Sequence, residues 1–268
     1  MDEALAALAR GKVRVLAGGT DVYPSLVNRP VDGDVLDITA IENLHVIQEE
    51  AEYFRLGAAV TWRDLCNTPL PRWMGALQAA AREVGGPQIQ TTGTLGGNLC
   101  NASPAADGAP ALMALEANVE LTSVRGIRQL PLTDFIVGVR HTELSPDELL
   151  TAVIIPKPVG DARSIFLKLG TRRYLVISIA MVAVCLETDA DDLIVRVSVA
   201  VGACSPIARR LRALELALIG VPRPEAPAQL RAAHIEGLSP IDDVRADAAY
   251  RLEAAFRLVR EALTELAA

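Results

Sequence analysis

Two glycine-rich segments hold the residues whose types and spacing suit ligand chemistry in this 268-residue chain. The first, Leu16-Ala17-Gly18-Gly19-Thr20-Asp21, runs into Val22 and lies between a strand-like and a helix-like stretch. Consecutive glycines there let backbone approach a phosphate closely, with the N–H groups of the helix start facing it. Thr20 and Asp21 also suit helix capping, so a tight strand-to-helix turn is the competing reading. The second segment, from Thr91 to Asp107, gathers Thr94, Leu95, Gly96, Gly97, Asn98, Cys100, Asn101 and Ser103 into a stretch with neither helical nor strand periodicity. Backbone donors with Thr, Ser and Asn side chains suit a pyrophosphate and a polyhydroxyl chain, and the Asp107 carboxylate can accept from such hydroxyls. An ordered structural loop is the alternative. Together the two segments are more specific than either alone.

Other chemistry is sparse. His45, His141 and His234 stand isolated, each read as a surface or capping histidine, because a useful base needs an orienting partner. There is no G-x-S-x-G elbow, H-E-x-x-H, phosphate-binding G-x-x-x-x-G-K-[ST] or G-x-G-x-x-G fingerprint. Cys66, Cys100, Cys185 and Cys204 form no C-x-x-C pair, which excludes a dense disulfide framework and common zinc spacings.

The elements that must position these segments follow from periodicity and punctuation. A helix is expected over Asp2 to Ala9 with Ala4, Leu5, Leu8 and Ala9 inward, then a strand over Val13 to Ala17 and a helix over Val22 to Asn28. Strands are expected over Val35 to Ile38 and Tyr53 to Ala58, and Thr61 caps a helix through Leu65. This alternation predicts an α/β arrangement for the first half. Helix is expected over Pro71 to Glu83, irregular chain between Gly85 and Pro110, a short helix over Ala109 to Leu115, and strands around Val119 to Leu121 and Leu149 to Ile155. A long irregular segment inside a compact domain is usually functional. Beyond Pro158, the runs Ser164 to Leu169, Ile179 to Leu186 and Leu193 to Gly202 suit a small antiparallel sheet. Helices follow over Ile207 to Ile219, Ala226 to Glu236 and Ala246 to Leu266. The boundary near Val159 divides the chain into domains 1–158 and 159–268.

Composition narrows the class. Apolar residues make up 51% of the chain, so a sizeable core is available, and with aromatics at 4% it must be built from Ala, Val, Leu and Ile. The net charge of −7 disfavours a nucleic-acid groove or an anionic membrane surface as partner. The run Leu175 to Leu186 falls short of the roughly 20 residues needed to insert across a bilayer. The acidic pair Asp2-Glu3 is unlike a signal peptide, so a cytoplasmic protein is expected.

The paired motifs Gly18-Gly19-Thr20-Asp21 and Thr94-Leu95-Gly96-Gly97-Asn98 through Ser103-Pro104-Ala105-Ala106-Asp107 resemble those of the FAD-binding subunit of molybdenum hydroxylases. That family includes xanthine dehydrogenase, aldehyde oxidase and aerobic carbon monoxide dehydrogenase. The resemblance extends along almost the whole chain, through Phe166-Leu167-Lys168-Leu169-Gly170-Thr171-Arg172-Arg173, Val201-Gly202-Ala203 with Pro206 and Arg209, and Tyr250-Arg251. It implies an α+β protein: a PCMH-type FAD-binding domain of two α/β subdomains, related to vanillyl-alcohol oxidase-type enzymes, then a small domain with a three-stranded antiparallel sheet and helices. It further implies electrons arriving from a [2Fe-2S] subunit, supplied by a molybdopterin subunit, and leaving to NAD or another acceptor from a heterotrimeric complex. A stand-alone alcohol oxidase of the vanillyl-alcohol type is the runner-up.

Carried over residue by residue, the resemblance makes Leu16, Ala17, Gly18, Gly19, Thr20, Asp21 and Val22 the first pyrophosphate loop. Thr94, Leu95, Gly96, Gly97 and Asn98 are the second, and Asp107 is the aspartate that follows Ser-Pro. Leu150 and Lys168 align with positions near the isoalloxazine, and Val84 stands where animal enzymes often carry an aromatic. Cys100, two residues beyond Asn98, is expected at the edge or face of the ring. A Lys168 cation beside the ring would stabilise its anionic reduced form. Arg172-Arg173 lead into Tyr174-Leu175 without the acidic residues that often follow, and no cysteine cluster matches the [4Fe-4S] insertion of some relatives.

Overall fold

The computed structural model describes residues 1–27, 30, 32–172 and 175–268. Helix α1 (Asp2–Ala9) buries Ala4, Leu5 and Leu8. Ala9, expected inward, is exposed because the helix ends there and Gly11 turns the chain away at φ +80°. Strand β1 (Val13–Leu16) pairs in parallel with β2 (Asp34–Asp37), joined across the single turn of α2 (Val22–Ser25). Asn28, the expected end of that helix, lies outside the described residues, as does Arg173.

Next come β3 (Ile47–Glu49), β4 (Tyr53–Gly57), α3 (Trp62–Asn67) and α4 (Gly75–Glu83). Thr61 caps α3 reciprocally: its hydroxyl accepts from the Asp64 N–H, while Asp64 accepts from the Thr61 N–H at 2.9 Å. The stretch expected to be irregular instead forms α5 (Pro87–Thr92), α6 (Leu95–Asn101) and the start of α7 (Gly108–Ala114). Pro87 suits a first helical position, and the Thr94 hydroxyl accepts from the Gly97 N–H at 3.1 Å to open α6. Burial of Leu95 and Leu99, one turn apart, outweighs the poor helix propensity of Gly96 and Gly97.

The chain then runs through β5 (Asn118–Ser123), β6 (Gly126–Pro131), α8 (Leu132–Phe135), β7 (Ile136–Gly138), β8 (His141–Thr142) and β9 (Leu149–Pro156). Strands β3-β4-β9-β5-β6 form one antiparallel sheet in that order. Among the described residues β1–β2 is the only parallel pair, so strand–helix alternation here mostly joins antiparallel neighbours.

After Pro158, β10 (Asp161–Leu169), β11 (Ala180–Thr188), β12 (Ile194–Gly202) and the short edge β13 (Arg209–Arg210) form a second antiparallel sheet. Helices α9 (Arg212–Leu218) and α10 (Ala248–Ala267) follow. The helix expected over Ala226 to Glu236 is replaced by 3-10 turns at Arg223–Gln229 and Ala232–Ile235, because Pro224 and Pro227 donate no backbone hydrogen bond.

The second sheet is covered on both faces, which is why β11 reads as a continuous apolar run. Met181 and Ala183 join the core formed with α4, α7 and the first sheet. Val182, Val184 and Leu186 point the other way, to the core with Leu214, Val259 and Leu263. Every residue of α7 is buried, so this helix is enclosed between the two halves. No helix among the described residues is long and apolar enough to cross a membrane.

Candidate functional site

The chain folds its two glycine segments into the walls of one cavity of about 310 Å³. Ala17, Gly18, Gly19, Thr20, Asp21 and Val22 form one wall, and Thr94, Gly96, Gly97, Asn98 and Cys100 another, with Val84 and Leu150 between them. Leu16 and Leu95 are not among the lining residues. Among the lining residues, all described, none is Lys, Arg or His, and Asp21 is the one carboxylate.

Gly18 brings the walls together. A Cβ built on it would stand 1.7 Å from the Thr92 carbonyl oxygen, so only glycine permits this approach. Gly19 has φ +69°, and a Cβ there would stand 2.3 Å from the Tyr23 ring. The glycine at position 18 therefore serves chain–chain contact as well as any approach to a phosphate.

The two segments differ in what they offer. Among the described residues, no acceptor partners the backbone N–H of Gly18, Gly19, Thr20, Asp21 or Val22. By contrast, Leu95 N donates to Val60 O at 2.9 Å, Gly96 N to Ala58 O at 2.8 Å, and Gly97 N to the Thr94 hydroxyl. The expectation of backbone donors from both loops is thus corrected: α6 uses its own to dock on the chain that follows β4 and to cap itself. Its free polar group is Asn98 Oδ1, buried without a partner. Such an acceptor costs about 1–3 kcal/mol unless a donor reaches it. Free N–H groups and a glycine cradle on the first segment, with Thr94 and Asn98 lining the same cavity, fit a pyrophosphate carrying a polyhydroxyl chain.

Cys100 lines this recess, and desolvation by the surrounding protein pushes its thiol up to about 12. Asp107 and Lys168 do not line the cavity. Lys168 Nζ binds Asp107 Oδ2 at 2.8 Å and the Glu83 carbonyl at 3.2 Å, and Ser178 donates to Asp107 Oδ1 at 2.8 Å. Burial pushes the Asp107 carboxyl above its ordinary range, against the pull of Lys168 and Ser178. Lys168, expected beside the ring as a cation, is thus paired with Asp107, and two buried charges this close satisfy one another. Lys168 faces a separate groove with Ala79, Glu83, Phe166 and Arg172.

Sequence reasoning misses the apolar part of the wall: Trp62, Ile38, Ile89, Leu144 and Leu149. One signal is available, the tryptophan immediately after the Thr61 cap, whose ring packs against Gly108 and Gly93. The histidines behave as read: His45 Nε2 bonds to Thr39 O at 2.9 Å, and His234 Nδ1 accepts from the Arg231 N–H at 3.1 Å.

Comparison with known proteins agrees with this geometry. Residues 1–158 match the family described as the FAD binding domain in molybdopterin dehydrogenase, and residues 165–266 match the CO dehydrogenase flavoprotein C-terminal domain. The nicotinate dehydrogenase FAD-subunit of Eubacterium barkeri is 37% identical over 78% of this chain and 72% of its own length. The nicotine 6-hydroxylase medium subunit of Paenarthrobacter nicotinovorans is 33% identical over 95% of this chain and 90% of its own. A chain of carbon monoxide dehydrogenase from Hydrogenophaga pseudoflava superimposes with a TM-score of 0.89 at 27% identity, covering 98% of this chain and 93% of that one. With the donor-lined cavity, these matches lead to one conclusion: the chain belongs to the FAD-binding medium subunits of the molybdenum hydroxylase family, flavoprotein subunits of oxidoreductases, and FAD is its cofactor.

Proposed function

We propose that this chain is the electron-transfer subunit of a xanthine dehydrogenase-type hydroxylase. It holds FAD non-covalently, receives electrons from a [2Fe-2S] subunit fed by a molybdopterin subunit, and delivers them to NAD or another acceptor. The observation that carries this reading is the chemistry of the cavity wall, which offers hydrogen-bond groups and apolar surface with no Lys, Arg or His and a single carboxylate, Asp21. When bound, FAD supplies the exchange between two-electron and one-electron transfer. The chain's own residues do the rest. Gly18 to Val22 donate to phosphate oxygens, Asn98 accepts from a hydroxyl, and Trp62, Ile89 and Leu150 keep water from the apolar wall.

The relatives named as an FAD-subunit and a medium subunit support a multi-subunit assembly. We place the working unit as a cytoplasmic heterotrimer and divide the chain into domains 1–158 and 159–268. Val159, 96% exposed between β9 and β10, supports that division. A free-standing alcohol oxidase is disfavoured, since it needs a base and the wall offers only Asp21 and the Cys100 thiol.

The test is turnover by the FAD-loaded chain alone and with its two partner subunits. Substrate-dependent acceptor reduction is expected only in the complex, with the yellow flavin passing into the supernatant on acid precipitation. Alcohol oxidation by the isolated chain, or flavin retained in the pellet, would overturn the proposal.

A further inference from the structure

A pyrophosphate brings negative charge to a wall whose described residues include no cation and one carboxylate, Asp21. The structure places a cation at that carboxylate from a different element. Arg140 sits in the turn of the β7–β8 hairpin, and its Nη1 lies 3.8 Å from Asp21 Oδ1. The same nitrogen donates to the side-chain oxygen of Asn101 and to its carbonyl, the latter at 3.3 Å. Asp21, from the first segment, and Asn101, from the second, both line the cavity. Arg140 therefore touches both segments at once.

The backbone holds it there. Arg140 N donates to Ala102 O at 2.9 Å, and both residues adopt left-handed conformations, φ +57° and +43°. Non-glycine residues hold such conformations only where the surroundings over-determine them, and these cluster at ligand clamps. A guanidinium has five N–H donors and stays charged at any working pH. Among the described residues, the hydrogen bonds and the ion pair of Arg140 all use Nη1, so Nε and Nη2 have no protein partner, and Arg140 touches two lining residues without lining the cavity itself.

We propose that Arg140 is a binding residue for the pyrophosphate of FAD: it ties the two cofactor segments together and supplies the positive charge that the cavity wall lacks. The inference rests on the flavin reading of the cavity and adds to it a residue from outside both glycine motifs. Because Arg140 and Asp21 are more than half exposed, salt attenuates its effect.

The test titrates FAD into the deflavinated full chain by flavin fluorescence, comparing the parent with Arg140→Gln and Arg140→Lys. Titrations are run at about 0.01 M and about 1 M KCl, where the screening length falls from about 30 Å to about 3 Å. Circular dichroism melting of each protein checks the fold. At low salt Arg140→Gln should weaken FAD by about tenfold or more, the scale of one charge-assisted hydrogen bond, and Arg140→Lys by much less. At high salt the parent and Arg140→Gln should converge. An equal loss at both salt concentrations, or Lys as damaging as Gln, would assign Arg140 to holding the loops only and overturn the proposal. Unchanged affinity in Arg140→Gln would remove it from the site. A parent chain that fails to take up FAD would overturn the flavin reading as well, so the two failures are told apart.

Discussion

Gly18→Ala is the smallest change that tests how the cavity is built. The added Cβ would stand 1.7 Å from Thr92 O, 2.5 Å from Thr92 C and 3.1 Å from Gly93 N. Ordinary contact begins at 3.4 Å, so the carbonyl oxygen is short by half that distance. All three atoms are backbone, so no rotamer change relieves the clash. Either the end of β1 or the end of α5 must move, and α5 is held by the Gly93 N–H bond to Ile89 O at 2.6 Å. Overpacking of this kind costs about 1–3 kcal/mol of stability. The larger effect falls on binding. Displacing Gly18 takes the following N–H groups out of line, and each charge-assisted bond lost is worth about 1.5–3 kcal/mol. Two such bonds correspond to a loss of affinity on the order of a hundredfold or more. FAD titration of the deflavinated protein, with its thermal melt, measures both terms. Gly237→Ala is the control, since a Cβ there meets nothing within 4 Å, and it should change neither. Parent-like FAD affinity in Gly18→Ala would refute the reasoning, because the two walls would then not need to touch.

Two further outcomes concern charges. Lys168→Met leaves Asp107 buried beside Ser178 without its cation and should cost about 3–5 kcal/mol in denaturant unfolding, while adding Asp107→Leu should recover part of that. No loss in the single variant would mean that the pair is not formed. Glu148 is held at about 2, chiefly by hydrogen bonds from Arg128 at 2.7 and 2.8 Å, against an ordinary value of 4.5. Its folded-state value is depressed, so its contribution to stability is complete above pH 4.5 and disappears as pH falls towards about 2. The difference in melting temperature between the parent and Glu148→Gln should therefore be full at neutral pH and shrink through that acid window. A difference independent of pH would contradict the assignment.

The local elements were legible because their determinants are local. The Thr61 cap, the β-branched runs of β10 to β12 and the spacing in α10 each act within a few residues. The two glycine segments were legible as a pair because few other arrangements use so many small and hydroxyl residues together. The helices α5 and α6 were not. In α6, Gly96 and Gly97 oppose helix formation, and only burial of Leu95 and Leu99 makes the helix the better state, while α5 is a six-residue helix rich in Gln and Thr. Likewise, composition alone made the second segment a set of backbone donors, whereas docking on Val60 and Ala58 uses those donors up. Lys168 and Asp107 could be named as site residues from sequence. That they neutralise each other depends on β10 reaching the residue just before α7, a contact between positions 61 residues apart. The sequence by itself determined which groups this protein has for a flavin nucleotide. The tertiary structure alone decided which of them remain free to bind it, because hydrogen-bond satisfaction and charge pairing are settled by neighbours distant in the chain.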